Sequence, residues 1–209
     1  MRLLYFHQHF ATPQGSSGTR SYEFARALIA RGHQVTIICG AHKLSGLDLP
    51  YDEAKGWHRG NVDGIDVISL PLAYSNRDSL VRRGLAYVRF ALRSVRLALT
   101  LDCDLVFATS TPITAVIPGL AAKWLRGKSF VFAVRDLWPE LPRALGLRNP
   151  FLLGGMSLLE FLGYRSADAC IGLSPGIVEG IRARADERLP VAMIPNGSDL
   201  EACYPAKRA

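Results

Sequence analysis

The sequence predicts an α/β protein: a doubly wound, mainly parallel Rossmann-like sheet of about seven strands with helices on both faces. Three observations predict it. Short apolar runs rich in β-branched and aromatic residues recur along the chain. Amphipathic helical patterns fill the intervals between them, the alternation from which parallel sheets are built. Glycine, serine and proline collect where the apolar runs end, and no internal repeat or low-complexity tract interrupts the sequence.

Residues 2–10 (RLLYFHQHF) read as the first strand, and the loop ATPQGSSG follows. Residues 19–31 have helical periodicity, with Tyr22, Ala25, Leu28 and Ile29 on one face and Arg20, Glu23 and Arg31 off it. Gly32 stands where a helix of this length would end in a left-handed residue. QVTIIC (34–39) is the second strand. Residues 40–64 form a long, glycine-rich, mixed-charge segment, read as a functional or mobile loop. Its end, Asp63-Gly64, suits a hairpin turn into IDVISLP, the third strand. A long helix is predicted over 79–101. Strands over 104–109, 130–134 and 169–173 alternate with helices over 113–126, 151–166 and 176–185. A last short strand over 191–194 ends in Pro195-Asn196-Gly197. Residues 1–202 thus read as one domain and 203–209 as the start of a linker.

The chain has 209 residues, 49% hydrophobic and 21% charged, enough to build a core without staples. Its 25 lysines and arginines against 18 acids leave a net charge of +7. A basic chain suits an anionic substrate, membrane or nucleic acid. No basic run interleaved with aromatics points to nucleic acid, so none is expected as a partner. Cys39, Cys103, Cys170 and Cys203 make no C-x-x-C pair, and neither a metal nor a cofactor is expected. The first apolar run is broken at once by His7-Gln8-His9, unlike a signal peptide, and no run is long enough to span a bilayer. A cytoplasmic location is expected.

In doubly wound sheets ligands bind beyond the carboxyl ends of the strands. The first such end offers Gly15, Ser16, Ser17, Gly18, Thr19 and Arg20 before a helix. Glycines let backbone N–H groups approach a ligand, the hydroxyls can cap the helix or donate, and a helix N-terminus favours an anion such as phosphate. The bland alternative is an ordinary surface loop. The spacing Gly15-x-x-Gly18 is not the dinucleotide fingerprint G-x-G-x-x-G. The second strand ends in Cys39-Gly40-Ala41, without an acid for a nicotinamide ribose. His7 and His9 end the first strand, placed to touch a ligand or to be buried and hydrogen-bonded. Ser110 and Ser174 close later strands on the same expected rim. A Y-x-x-x-K proton shuttle, expected of a reductase or epimerase, is absent at Tyr164 and Tyr204.

Four segments together resemble family 4 glycosyltransferases, enzymes of GT-B fold. They are the glycine loop with SYEFARALIARGHQVTIIC, the Asp63-Gly64-Ile65 hairpin, FVFAVRDLWPELPRALG, and IPNGSDLE at the expected interdomain junction. The third is similar to the subgroup acting in bacterial surface-polysaccharide assembly. The resemblance implies a retaining transfer of a hexosyl or N-acetylhexosaminyl group from a nucleotide-diphosphate sugar, without a metal. The acceptor it implies is a saccharide, in that subgroup carried on a polyprenyl pyrophosphate. The N-terminal half of such an enzyme holds the acceptor. The donor-binding half, with its paired-glutamate E-x7-E motif, is expected beyond residue 209, so the chain alone is expected to be inactive.

Glu179 and Glu187 have that same E-x7-E spacing but precede the junction, and read as a solvated helix face. Two positions depart from the family pattern: Arg135-Asp136 replaces His-Asp, and N-G-S-D replaces N-G-V-D. Arg135, Asp136 and Glu140 are the catalytic candidates. A guanidinium there can bind a phosphate bidentately or pair with Asp136 or Glu140, and a carboxylate can orient an acceptor hydroxyl. Trp138 can wall a sugar ring or fill the core. Asn196 and Gly197 complete the candidate binding set. The alternatives are a stand-alone binding subunit of a split transferase, or another Rossmann nucleotide-sugar enzyme.

The helix predicted over 79–101 has five arginines and no acid. Arg82, Arg89, Arg93 and Arg96 fall on one stripe, with Leu85, Phe90, Leu92 and Leu97 as shoulders and Val88, Val95 and Leu99 turned toward the core. Such a stripe suits peripheral contact with an anionic membrane, here the inner face of the cell membrane.

Overall fold

A computed structural model describes residues 1–41, 45–72 and 79–196, with only the backbone of Leu80 and Val81. The strands are β1 (Arg2–Phe6), β2 (Gln34–Gly40), β3 (Tyr51–Asp52), β4 (Trp57–Val62), β5 (Ile65–Leu70), β6 (Leu105–Thr109), β7 (Ser129–Val134), β8 (Ala169–Gly172) and β9 (Val191–Met193). The helices are α1 (Arg20–Ala30), α2 (Leu80–Thr100), α3 (Val116–Arg126), α4 (Glu140–Ala144), α5 (Pro150–Ser166) and α6 (Pro175–Arg182), with a 3-10 turn at Ile113–Ala115. One sheet of nine strands runs in the order β3-β4-β5-β2-β1-β6-β7-β8-β9. The seven strands from β5 to β9 in that order are parallel, and β3 and β4 add an antiparallel edge.

The expected seven strands therefore become nine. The segment read as a long loop holds β3 and β4 instead. Asp63 and Gly64 both take positive φ, 51° and 88°, as the tight hairpin turn requires. The Tyr22 hydroxyl donates to Asp63 Oδ2 (2.7 Å), which ties this turn to α1. Arg59 pairs across the hairpin with Asp66 at 2.9 Å. The first strand stops at Phe6, four residues short of the run read from the sequence. There His7 N–H still donates to Ile38 O (3.1 Å), after which the chain turns away.

Alternation along the buried strands sorts side chains to two faces. Phe6, Ile38, Ile68, Phe90, Val106, Phe130, Phe132 and Tyr164 build the larger core with α2, α3, α5 and α6. Tyr5, Ile37, Val67, Phe107 and Ala133 build the smaller one under α1. The large side chains in these layers contribute roughly 1.5–3 kcal/mol each by leaving water. Asn149 caps α5, accepting from the N–H groups of Phe151 (3.0 Å) and Leu152 (3.2 Å), with Pro150 opening the first turn. Gly32 takes the left-handed conformation that ends α1 (φ 82°). Cys39, Cys103 and Cys170 are buried and free. Cys203 lies outside the described residues.

Among the helical glycines the tightest against the sheet is Gly119 of α3, where an added Cβ would overlap the buried Phe130 ring. Gly84 of α2 has open space instead. Gly119→Ala should lower stability by about 1–3 kcal/mol through overpacking. Gly84→Ala should raise it by about 0.5–1 kcal/mol by removing backbone freedom from the unfolded chain. Urea unfolding of the two variants checks both; equal shifts would contradict the packing argument.

Candidate functional site

A cleft of about 450 Å³ opens at the carboxyl ends of the parallel strands. Its walls come from five strand ends: His7 and His9 after β1, Thr111 after β6, Arg135 and Asp136 after β7, Leu173 after β8 and Asn196 after β9. Ser17 and Gly18 of the loop before α1 complete it. Of the residues expected along one rim, His9, Ser17, Gly18, Arg135, Asp136 and Asn196 line it, whereas Ser110 and Ser174 do not.

The loop after β7 is held from beneath. Ser110 is buried, and its Oγ accepts from the N–H groups of Arg135 (2.8 Å) and Asp136 (3.3 Å). Thr111 Oγ1 donates to Asp136 Oδ2 at 2.9 Å, which orients the carboxylate. Arg135 pairs with no acid among the described residues. Its Nη1 lies 3.1 Å from His7 Nε2. A guanidinium only donates, so His7 Nε2 accepts and the imidazole is neutral, with its proton on Nδ1. That proton faces Ser21 Oγ at 2.6 Å, and Ser21 also takes the Tyr5 hydroxyl at 3.0 Å. Burial pushes the Tyr5 phenol up, so it stays a hydroxyl. The chain Tyr5–Ser21–His7–Arg135 therefore aims one guanidinium from the core into the cleft. Thr111 was missing from the sequence-derived site, and His7 was read there only as placed either to touch a ligand or to be buried; the structure has it buried and hydrogen-bonded at the cleft. Position at a strand's carboxyl end was the only available signal for either.

Several candidates have other partners. Arg20, expected to face a phosphate, donates through Nη1 to Pro195 O (2.7 Å) and Asn196 Oδ1 (3.0 Å), and through Nη2 to Ile194 O (2.9 Å). It ties α1 to the end of β9; burial lowers its pKa, with repulsion from Arg135 adding to the effect. Thr19 precedes α1 without a side-chain cap bond. Ser174 caps α6, accepting from Ile177 N–H at 3.4 Å. Trp138 packs against the larger core, so it fills space there instead of walling the cleft. Gly15 and Ser16 lie in the loop just before the cleft-lining Ser17. Gly197 falls outside the described residues. Glu179 and Glu187 are exposed, as expected, although α6 ends before Glu187.

Glu140 faces away, into a second cavity of about 440 Å³ between α4 and α5. Its Oε1 accepts from Arg184 Nη2 at 2.6 Å. In the same cavity Glu160 is buried, accepting from Trp138 N–H and the Tyr164 hydroxyl, both at 2.9 Å. Elsewhere, burial pushes the Cys39 and Cys170 thiols up to about 12, so neither is a nucleophile.

The model of the glycosyl transferase 4-like domain family matches residues 15–197. The chain belongs to this family. No curated protein matches it. Among solved structures it is similar to sucrose-phosphate synthase from Thermosynechococcus elongatus, at TM-score 0.58 and 16% identity over 97% of this chain and 92% of that one. It is also similar to Arabidopsis thaliana UGT89C1 in complex with UDP-L-rhamnose, at TM-score 0.55 and 13% identity over 96% of this chain and 54% of that one. The complex of UGT89C1 with quercetin gives 0.54 and 12%, over 98% and 55%. At these identities the likeness shows the fold, and the chain spans about half the length of UGT89C1. The molecule is a glycosyltransferase-type domain with the Rossmann-like sheet of GT-B enzymes.

In this glycosyl transferase 4-like domain, burial raises the Glu160 carboxyl above its usual range, against the lowering effect of its Trp138 and Tyr164 bonds. A carboxyl with a raised folded-state pKa binds its proton more tightly folded than unfolded. Its contribution to stability is therefore fully present below the unfolded pKa and is lost as pH rises through the folded one. Glu160→Gln keeps an acceptor oxygen without the charge. Its stability relative to the parent should rise as pH is raised above the ordinary carboxylate range in urea titrations; a gap that stays constant or narrows would contradict the assignment.

Proposed function

We propose that the domain is the acceptor-binding half of a retaining glycosyltransferase. In this reading a hexosyl or N-acetylhexosaminyl group moves from a nucleotide-diphosphate sugar to a saccharide acceptor in cell-surface polysaccharide synthesis, with no metal or cofactor. The observation that carries it is the pairing at the cleft floor. Arg135 is aimed by neutral His7, and Asp136 is held separately by Thr111. A cation and an acceptor of hydrogen bonds, fixed side by side, fit a reaction that separates a diphosphate from a sugar while a hydroxyl attacks. Arg135 stabilises negative charge on the leaving phosphate oxygens. Asp136 accepts a hydrogen bond from the acceptor hydroxyl and fixes its approach. As the new glycosidic bond forms and the bond to the diphosphate breaks, the hydroxyl proton passes to the leaving phosphate oxygen. The backbone at Ser17 and Gly18, beside the start of α1, supports an anion in the same place. Glu140, engaged by Arg184, has no part in this step.

Most donor contacts belong to a second domain in this reading, so the 209-residue chain transfers nothing by itself. In an enzyme that joins it to a donor-binding domain, Asp136→Asn should lower kcat at least about tenfold, the loss of one transition-state contact. Glu179→Gln should leave kcat nearly unchanged. Equal effects from the two, or turnover by the 209-residue chain alone, would overturn the reading.

The proposed acceptor is a polyprenyl-pyrophosphate-linked saccharide, reached from the cytoplasmic face of the membrane. Support comes from α2, where Arg82, Arg89, Arg93 and Arg96 are exposed beside Leu85, Val88 and Leu92. The sequence-derived shoulders shift accordingly: Phe90 and Leu97 are core, and Val88 faces outward. Four arginines near an anionic surface contribute on the order of 4 kcal/mol, weakened by salt. Replacing Arg89, Arg93 and Arg96 by glutamine should cut co-sedimentation with anionic vesicles by at least about tenfold at low salt. Undiminished binding would remove α2 as a contact.

A further inference from the structure

Six exposed large hydrophobic residues lie elsewhere, on and beside α4 and α5. Phe151 is 89% exposed and Leu145 80%, with Leu141, Leu152, Leu158 and Phe161 exposed around them. On α5, at about 100° per residue, Phe151, Leu158, Phe161 and Arg165 fall within roughly 80° of one another. Leu141 and Leu145 lie one turn apart in and just after α4. Arg143 and Phe161 line the same cavity, so the basic and apolar residues are neighbours in space as well. From 141 to 159 the sequence has Arg143 and Arg148 and no acid. Glu160, which ends that stretch, is buried, and Glu140, which precedes it, is engaged by Arg184.

A monomer rarely leaves so many large apolar side chains in water without a use. The opposite face of α5 already packs on the larger core through Met156, Gly163 and Tyr164, so the stripe is surplus to the core. No helix among the described residues is long and apolar enough to cross a membrane. Arg165 pairs with the exposed Asp186 at 3.4 Å, so the cations that collar the stripe are Arg143 and Arg148, with no acid between residues 141 and 159. That combination complements an anionic bilayer. Its apolar side chains reach the acyl boundary while the guanidiniums meet lipid phosphates.

We propose that the α4–α5 surface inserts into the interfacial layer of anionic membranes, led by Leu145, Phe151 and Leu152, with Arg143 and Arg148 on the headgroup phosphates. It goes beyond the α2 contact, and either can fail without the other. Charge on α2 acts over the range of salt screening, whereas burial of α5 side chains persists at high salt.

The test uses the 209-residue chain with vesicles of phosphatidylglycerol and phosphatidylethanolamine, and phosphatidylcholine as the neutral control. Because Phe151 is exposed, Phe151→Trp leaves the core untouched, and its emission, read as the difference from a parent with Trp57, Trp124 and Trp138, reports on that position. Its emission should shift to the blue with anionic vesicles and be quenched by lipids brominated in the acyl chain. Leu145→Ser with Phe151→Ser should lower partitioning at high salt by at least about tenfold, since each removed side chain forfeits most of a large apolar burial. Phe151→Trp placed in the α2 triple glutamine background should keep its blue shift once bound. Co-sedimentation with an unchanged Phe151→Trp spectrum would overturn the proposal and leave the α2 contact standing. Absence of vesicle binding by the parent would overturn both. A dimer in solution that the same serine substitutions dissociate, without any blue shift on vesicles, would assign the surface to a second copy of the chain and overturn the proposal. None of these outcomes bears on Asp136 and the transfer step.

Discussion

Everything at the candidate site depends on the placing of β1 between β2 and β6. β1 pairs in parallel with both. The chain must therefore wind outward in one direction through β2 and β5 and in the other through β6 to β9. Right-handed crossovers that diverge in this way leave a crevice above the switch point, because no connection crosses it. The cleft lies there. His7 is in it because it is the first residue after the central strand. Thr111, Arg135, Leu173 and Asn196 join it because each follows the carboxyl end of a strand farther along.

Within that crevice the electrostatics are arranged by hydrogen bonds that do not involve charge pairs. An Arg135–Asp136 ion pair would have neutralised the floor. Ser110 prevents this by taking both backbone N–H groups, and Thr111 and His7 then draw the two side chains apart. A second guanidinium, Arg20, stands behind Arg135 but is occupied by carbonyl oxygens of residues 194 and 195. Carbonyls satisfy its donors without cancelling its charge. The cleft therefore carries two cations beside the Asp136 carboxylate while exposing the donors of only one cation, a combination that draws an anion to the Arg135 side.

The large-scale order was legible because buried strands and amphipathic helices carry strong periodic signals. IDVISL and VFAT can hardly be anything but interior strands. β4 was not legible, since Trp57, His58, Arg59, Gly60 and Asn61 alternate weakly. It is a strand because β5 offers a template one tight turn away, with Arg59 and Asp66 closing the pair. α4 is five residues long with a proline inside, below any periodic threshold. At the site, strand-end position found Arg135 and Asp136 but could not tell them from Glu140, four residues on. Whether a short helix turns a carboxylate toward one cavity or the next is decided by packing, here by the reach of Arg184 from beyond α6. The Arg20 contact spans about 175 residues of sequence, and no local pattern encodes it.

The same winding rule that opens the cleft also sets where the two basic, apolar surfaces begin. α2 leaves β5 and returns to β6, and α4 and α5 leave β7 and return to β8. Each connection departs from the carboxyl rim and must come back to the amino rim, so the first turns of α2 and α5 and all of α4 start beside the cleft mouth. Both helices pack on the same face of the sheet, with α3 between them. The exposed side chains of Leu85, Arg89, Leu145 and Phe151 therefore belong to one layer of the molecule and to its cleft end. A surface that rested on them would hold the opening of the cleft near itself. Under the proposed function the fold would need no separate device to bring a surface-bound acceptor to Asp136, because the direction of the parallel strands fixes both the cleft end and that layer.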